Sequence, residues 1–521
     1  MRHAPDLPAS AGFRADDKRM TEPGRSYAER RLRAPGRIEP LLQAWRGYLE
    51  RPYASTQLIM LAGLGLLAFG VMMATSTTVS ASLQADNHQT MWSQLTKEVE
   101  FLILSLPVFW LAVWVSPRLY RRLAYPALAL GALILVGVLT PGVGVMINGA
   151  RRWIMLGPLQ FQPSEFVKLA VLLWGADLLA RKQFFGTLAR PMHLFVPLVP
   201  GFVFICALVM LEPDLGTTLC YLLILLGLLW TVGTPFRYFA ATLLTIAMAV
   251  AAMAVAAPYR LQRLTSFTDP FAHAQGSGYH TVEGLYALAS GGIFGVGLGA
   301  GTSKYSWVPN ANTDYVFAVI GEELGLIGCV VVLGLFALFA FTGLRISRRS
   351  ADPFVRLAAG AATVWITGQA VINIGYVSGL LPVTGIPLPF ISAGGTSLIA
   401  TAMVFGMLVS FARHEPAAVA AAQVAAQAGR RSRIERFFRI RVPNGYVEPA
   451  RRSRPSRPAA RPSQVPSRAQ PQASTRRPEP ARRPAAARAQ QQAPRRTARP
   501  AARPAAPMRP TGTEGSRRGT R

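Results

Sequence analysis

Between residues 54 and 412 the chain consists of apolar runs, each long enough for a helix to cross ~30 Å of hydrocarbon, which takes roughly 17 to 25 residues. Backbone polar groups inside a bilayer must be satisfied within the protein, so only helices or a closed barrel are open to such runs. The runs are apolar on all sides and lack the inward/outward alternation of barrel strands. The expected fold is therefore an all-α polytopic membrane protein. Ten spans are read at about 54–75, 99–116, 123–140, 164–180, 193–211, 215–232, 238–257, 315–344, 354–377 and 396–412. They predict a ten-helix transmembrane bundle, residues 53–412, with long outer loops at 141–163 and 258–314, the second lying between spans 7 and 8.

Charge sets the orientation. Of the 55 Lys and Arg, 11 lie in residues 1–52 and 26 in residues 413–521, where only 5 Glu oppose them. With the N-terminus inside, the inner loops and Arg356 hold 11 and the outer segments 6, so the positive-inside rule places both ends in the cytosol. Residues 1–52 read as a basic arm, without the apolar core that closely follows the first charges of a signal peptide. Residues 413–521 read as an Arg/Pro/Ala-rich disordered tail. Within it, Arg430–Arg441 sets Ile434, Phe437, Phe438 and Ile440 among cations, which suits a membrane-surface helix or a solvated linker. Beside a membrane, so basic a tail is expected to meet anionic lipids and an acidic partner rather than nucleic acid. Cys206, Cys220 and Cys329 all lie in apolar runs, which excludes a disulfide framework and a CxxC zinc site.

Charged groups in or at the edge of a membrane each need a reason. Glu165 and Lys168 share a helix face and suit an ion pair. Arg151, Arg152 and Trp153 lie outside against the charge trend; they suit either a phosphate at headgroup level or ordinary interfacial anchoring. In Glu212-Pro-Asp214-Leu-Gly-Thr-Thr, Asp214 is expected to cap the next helix. Asp314 ends the largest outer loop where the eighth helix starts, and it is either another cap or a general base at the mouth of the bundle. Glu322 and Glu323, about two turns deeper, must be paired or protonated. From Asn373 to Ser397, three prolines and a set of glycines forbid a regular helix, so a shaped loop including Ser392, Gly394 and Gly395 is expected to help form a site.

The segments NGARRWI, FQPSE, EPDLGT, GLYALASGGIFGVGLGAG and TDYVFAVIGEELG, followed by the Asn373–Ser397 stretch, occur in the order typical of one family. Over residues 54–412 the chain resembles the SEDS family (shape, elongation, division and sporulation), which includes FtsW, RodA and SpoVE. Ala393 stands where Tyr is common, and Glu283-Gly284 where Gln-Ser is frequent. The GEELG form at Gly321–Gly325 and the long Arg/Pro/Ala-rich tail are more similar to the FtsW branch of high-GC actinobacteria. The resemblance implies a peptidoglycan glycosyltransferase of the cytoplasmic membrane, active at the division septum in septal cell-wall synthesis and cell division. It would polymerise lipid II into β-1,4 glycan on the outer face. Asp314 would be the base; Arg151, Arg152, Trp153 and Lys304, with Ser392, Gly394 and Gly395, would meet the substrate and its pyrophosphate. Glu165, Lys168, Asp214, Glu322 and Glu323 would support them. No dedicated metal site is implied, and Mg²⁺ or Mn²⁺ stays open. The implied partners are a class B penicillin-binding transpeptidase and other division proteins, with FtsZ a candidate for the tail. A lipid II transporter and a non-catalytic division scaffold are the competing functions.

Overall fold

The computed structural model describes residues 39–84, 91–147, 149–157, 159–186, 191–255, 266–276, 278–304, 312–428, 443, 445 and 446. Residues 1–38 of the basic arm, residues 305–311 of the large outer loop, the Arg430–Arg441 segment and the tail beyond residue 446 fall outside them.

A helix, α1 (Glu39–Leu49), precedes the first apolar run, and helices then stand at all ten expected positions. They are α2 (Ala54–Gln84), α3 (Met91–Trp114), α4 (Pro117–Leu139), α5 (Pro163–Phe184), a broken pair α6 (Pro191–Phe195) and α7 (Leu198–Leu211), α8 (Leu215–Val232) and α9 (Phe236–Val255). After α10 (Tyr279–Ser290), inside the large loop, come α11 (Val316–Arg349), α12 (Pro353–Val377) and α13 (Thr396–Arg413), then α14 (Pro416–Gln427). Among the described residues, seven helices are long and apolar enough to cross a membrane. Of the remaining three positions, α3 carries Lys97, Glu98 and Glu100, α5 carries five charged residues, and the apolar part of α9 is shorter.

The two ends differ from expectation. α1 lies in the arm, and α14 in a tail expected to be disordered from residue 413. Both have a local cause. α14, PAAVAAAQVAAQ, is built of the strongest helix former, starts with Pro416 at its first position, and buries Ala418 and Val419. α1 is amphipathic, and its Trp45 packs on Phe341 of α11.

The helices pair by small-residue contact and apolar burial. α13 packs along α3, α8 and α11 along α12, α4 along α5, and α2 along α11. Two polar layers bound the apolar core. In one, Asp177 pairs with Arg121 and with Arg181, Arg356 donates to Gln183 (2.7 Å), and Arg349 pairs with Glu415 (3.3 Å). The other holds the 141–163 loop and the described part of the 258–314 loop. There the stretch expected only as a loop, 141–163, forms an antiparallel meander of β1 (Val145–Ile147), β2 (Ala150–Leu156) and β3 (Leu159–Phe161). Strands β1 and β3, three residues each, are too short to show a period in the sequence.

Helix α11 is broken. Gly325 has φ +66° and ψ −163°, and a Cβ there would lie 2.4 Å from the Gly295 amide nitrogen. The Gly-rich run after α10 fills the break: Val296 N donates to Glu322 O (2.9 Å), Gly297 N to Glu323 O (3.1 Å), and Leu326 N to Gly292 O (2.9 Å). The backbone groups freed by the break are thus satisfied by protein, as the bilayer requires. The Glu322 carboxylate accepts the Thr302 and Ser303 amides at 2.7 and 3.1 Å. Glu323 pairs with Lys304 (2.7 Å) and accepts from Ser76 (2.6 Å), and Lys304 also donates to Gly299 O. Lys304→Ala would leave the buried Glu323 carboxylate without its counter-ion, an expected loss of about 3–5 kcal/mol. The detergent-solubilised variant should melt well below wild type, and Lys304→Met combined with Glu323→Leu should recover most of the difference.

Candidate functional site

The site is organised by a polar stripe on α12. Trp365, Gln369, Asn373 and Tyr376 recur at helical spacing in an otherwise apolar span, so they share one face. Trp365 Nε1 donates to Gln369 Oε1 (2.9 Å), and Gln369 Nε2 donates to Pro387 O (2.8 Å). Asn373 Nδ2 lies 2.7 Å from Ile386 O and 2.9 Å from Asp314 O; the Tyr376 hydroxyl lies 2.8 and 3.0 Å from the same two oxygens. The stripe therefore holds the irregular loop between α12 and α13 and, through it, the end of the large outer loop.

Three successive carbonyls of that end are held. Asn312 O accepts from Ala393 N (3.0 Å), Thr313 O from Ser392 Oγ (2.6 Å), and Asp314 O from the Asn373/Tyr376 pair. Ser392, itself buried, also accepts from Leu388 N (2.7 Å), which closes the loop on itself. Gly394 O accepts the Ser397 amide (2.8 Å), and Gly395 (φ +41°) turns the chain into α13 against the ring of Phe101. These residues shape the site from behind.

Asp314 is half-buried, and its carboxylate faces the loop: a Cβ on Gly385 (φ +70°) would lie 3.5 Å from Oδ2. α11 starts at Val316, with Tyr315 in the cap position and no cap bond from the Tyr315 side chain. Asp214 does cap α8, accepting from Thr217 N (2.9 Å), Thr217 Oγ1 (2.8 Å) and Gln162 Nε2 (3.1 Å).

The turn before α8 and the loop before α13 touch: a Cβ on Gly216 would lie 3.1 Å from Ile386 and 3.2 Å from Thr384 O. Arg152 reaches the same turn from β2, donating to Glu212 O (2.9 Å) and to Pro213 O. A continuous chain thus joins Arg152, the 212–216 turn, the 384–386 loop and Asp314. Arg151 is half-buried, and its guanidinium makes no hydrogen bond or ion pair among the described residues. Trp153 is half-buried on β2, opposite Val145. Glu165 and Lys168 pair at 2.8 Å, both buried, with the ammonium 5.2 Å from the centre of the Trp365 ring. They support the α12 stripe.

Lys304 does not join this group. Its ammonium is buried on Glu323, Ser76 and Gly299, so the expected pyrophosphate contact gives way to a lock on the α11 break. Glu322 and Glu323 belong to the same lock. Sequence reasoning missed Trp365, Gln369 and Tyr376; their signal was the helical recurrence of hydrogen-bonding side chains within an apolar span.

Glu212 stands out in the sequence only together with Asp214. It is fully buried, and neither carboxylate oxygen meets a hydrogen-bond partner among the described residues. Burial, with Asp214 beside it, pushes its pKa up from 4.5 to about 8 against the opposing pull of Arg152. The unfolded chain therefore releases this proton first, and Glu212 weakens the fold progressively as pH rises from about 4.5 to about 8. Glu212→Gln should match wild-type melting near the lower pH and exceed it increasingly up to the higher one; parallel pH profiles would contradict the assignment.

Comparison with known proteins places the chain. The family described as cell cycle proteins, FtsW, RodA and SpoVE, matches residues 56–417. The chain is 42% identical over 448 residues to the probable peptidoglycan glycosyltransferase FtsW of Mycobacterium tuberculosis, covering 86% of this chain and 83% of that one. It is 37% identical to the protein of the same name from Coxiella burnetii over 364 residues, 68% of this chain and 95% of the other. Among solved structures it is similar to a chain of a peptidoglycan synthase complex that coordinates polymerization and crosslinking (TM-score 0.56, 28% identity, 69% of this chain and 97% of that one). It is also similar to the rod shape determining protein RodA of Thermus thermophilus (TM-score 0.50, 28% identity, 69% and 96%). This multi-pass membrane protein belongs to the FtsW/RodA/SpoVE family.

Proposed function

We propose that the chain is a peptidoglycan glycosyltransferase that polymerises lipid II at the outer face of the cytoplasmic membrane, with Asp314 as general base. The observation that carries the assignment of the base is the backbone clamp on residues 312–314, which fixes a half-buried carboxylate against the 384–386 loop. The names of the relatives support the reaction class.

An ordinary carboxylate, with a pKa of ~4, is a weak base for an alcohol. Partial burial beside a departing pyrophosphate raises its basicity. Asp314 takes the proton of the GlcNAc 4-hydroxyl of one lipid II. That oxygen forms a bond to the MurNAc anomeric carbon of the growing chain, and the anomeric C–O bond to undecaprenyl pyrophosphate breaks. The leaving group carries away the electron pair and needs positive charge, which Arg151 and Arg152 supply at the outer sheet. Among the described residues no three His, Cys, Asp or Glu side chains group to hold a metal; Mg²⁺ or Mn²⁺ carried by the pyrophosphate is compatible with this arrangement.

In this reading ten spans cross the membrane, both ends are cytosolic, and the protein works at the septum with a class B penicillin-binding transpeptidase and other division proteins. The basic tail contacts anionic lipid or an acidic partner such as FtsZ. The transporter reading is less favoured because the buried charges Glu165, Lys168 and Asp177 are paired within the protein rather than arranged as a polar path.

With labelled lipid II and the cognate transpeptidase, purified wild type should make glycan, and Asp314→Asn should lose at least about 100-fold in rate while binding substrate within a few-fold. Polymer from both proteins, or from neither, would defeat the catalytic assignment. Translocation of the headgroup by both would favour a transporter.

A further inference from the structure

At the end of the bundle opposite Asp314, a cavity of about 440 Å³ opens between the α3–α4, α11–α12 and α13–α14 connections and is covered by Pro443, Gly445 and Tyr446. Nothing in the polymerase reading uses it. Two guanidinium groups line it, Arg118 at the start of α4 and Arg413 at the end of α13. Arg118 is exposed and makes no hydrogen bond or ion pair among the described residues, yet its charge acts on both Asp352 and His414 in the same wall. The N-cap of α4, Ser116, forms no side-chain cap bond, so the positive end of that helix dipole also lies at the cavity.

The remaining titratable groups refine the ligand. His414 is bonded through Nδ1 to Ser410 O (2.7 Å), and burial with the two arginines holds its pKa down, so it adds no charge near neutral pH. Asp352 spends one oxygen capping α12, accepting from Phe354 N (2.9 Å), which leaves its other oxygen as an acceptor on the wall. A phosphate with hydroxyls beside it would meet both the arginines and this acceptor. The lip indicates where such a phosphate comes from: Leu111 and Trp114 of α3 and Leu119 of α4 are exposed apolar side chains at the ends of helices that leave the hydrocarbon.

We propose that this cavity holds the phosphodiester headgroup of an anionic, hydroxyl-bearing phospholipid of the phosphatidylglycerol type, with Arg118 and Arg413 on the phosphate, Asp352 on the hydroxyls, and the acyl chains along α3 and α4. Basic pockets between membrane helices recognise lipid headgroups by this combination of charge and apolar lip. The inference rests on the membrane-protein reading but not on the glycosyltransferase chemistry.

The test counts phospholipid retained by the full-length protein, taken from vesicles of phosphatidylglycerol and phosphatidylcholine, by native mass spectrometry. Washing at about 0.5 M salt, where screening acts over a few ångströms, removes lipid held only by the Arg-rich tail. Wild type and Asp314→Asn should each keep one phosphatidylglycerol and no phosphatidylcholine. Arg118→Gln with Arg413→Gln should reduce retention at least about tenfold, as expected for lost charge-assisted hydrogen bonds, while Arg118→Lys keeps most of it and controls for folding. Equal retention by the double variant, equal retention of phosphatidylcholine, or displacement by millimolar inorganic phosphate would each overturn the assignment.

Discussion

The site around Asp314 depends on backbone carbonyls being held in place by side chains from a buried helix. The chain from Asn312 to Asp314 follows a long loop and precedes a helix whose cap residue, Tyr315, makes no side-chain cap bond. Asn373, Tyr376 and Ser392 fix it from behind by bonding to its oxygens. A buried amide or hydroxyl left without a partner costs about 1–3 kcal/mol, so the stripe and the loop stabilise each other's geometry. Rigid support of this kind suits the general-base role proposed for Asp314, because proton transfer is sensitive to sub-ångström placement.

The same logic extends across the polar layer around the site. Arg152 bonds to the carbonyls of the 212–213 turn, Asp214 caps α8 and ties down Gln162, and Gly216 lets the turn approach the 384–386 loop. The sheet that bears Arg151 and the loop that bears Asp314 are therefore coupled through backbone contacts rather than through exposed side-chain pairs. A separate device controls α11: its break at Gly325 is filled by the Gly-rich run after α10 and locked by Lys304, Glu322 and Glu323.

Much of this was legible in the sequence, and the exceptions have physical reasons. Helix positions were legible because a span must be predominantly apolar, and Glu165–Lys168 and Asp214–Thr217 were legible because both depend on three-residue spacing. The break in α11 was not, since Gly325 lies inside one long helical run and the backbone that fills the break comes from the Gly-rich segment after α10. Lys304 was misplaced for a related reason: its loop position suggested exposure, whereas the ammonium is buried on Glu323. The Asn373–Ser397 stretch was legible as a shaped loop, but residues that hold it, Gln369 and Tyr376 among them, lie on the preceding helix, where an apolar average hides a polar stripe. Expected disorder from residue 413 gave way to α14 because alanine-rich sequence is both low in complexity and high in helix propensity.

The central claim is that the α12 stripe acts on the chemistry through Asp314, and a double-mutant cycle on polymerisation rate tests it most directly. Asn373→Ala alone should lower turnover by about tenfold or more with little change in the substrate concentration needed for half-maximal rate. Added to Asp314→Asn, the same change should have almost no further effect. Additive losses in the double variant would contradict the claim, because the stripe would then act on the reaction by a route that bypasses the carboxylate.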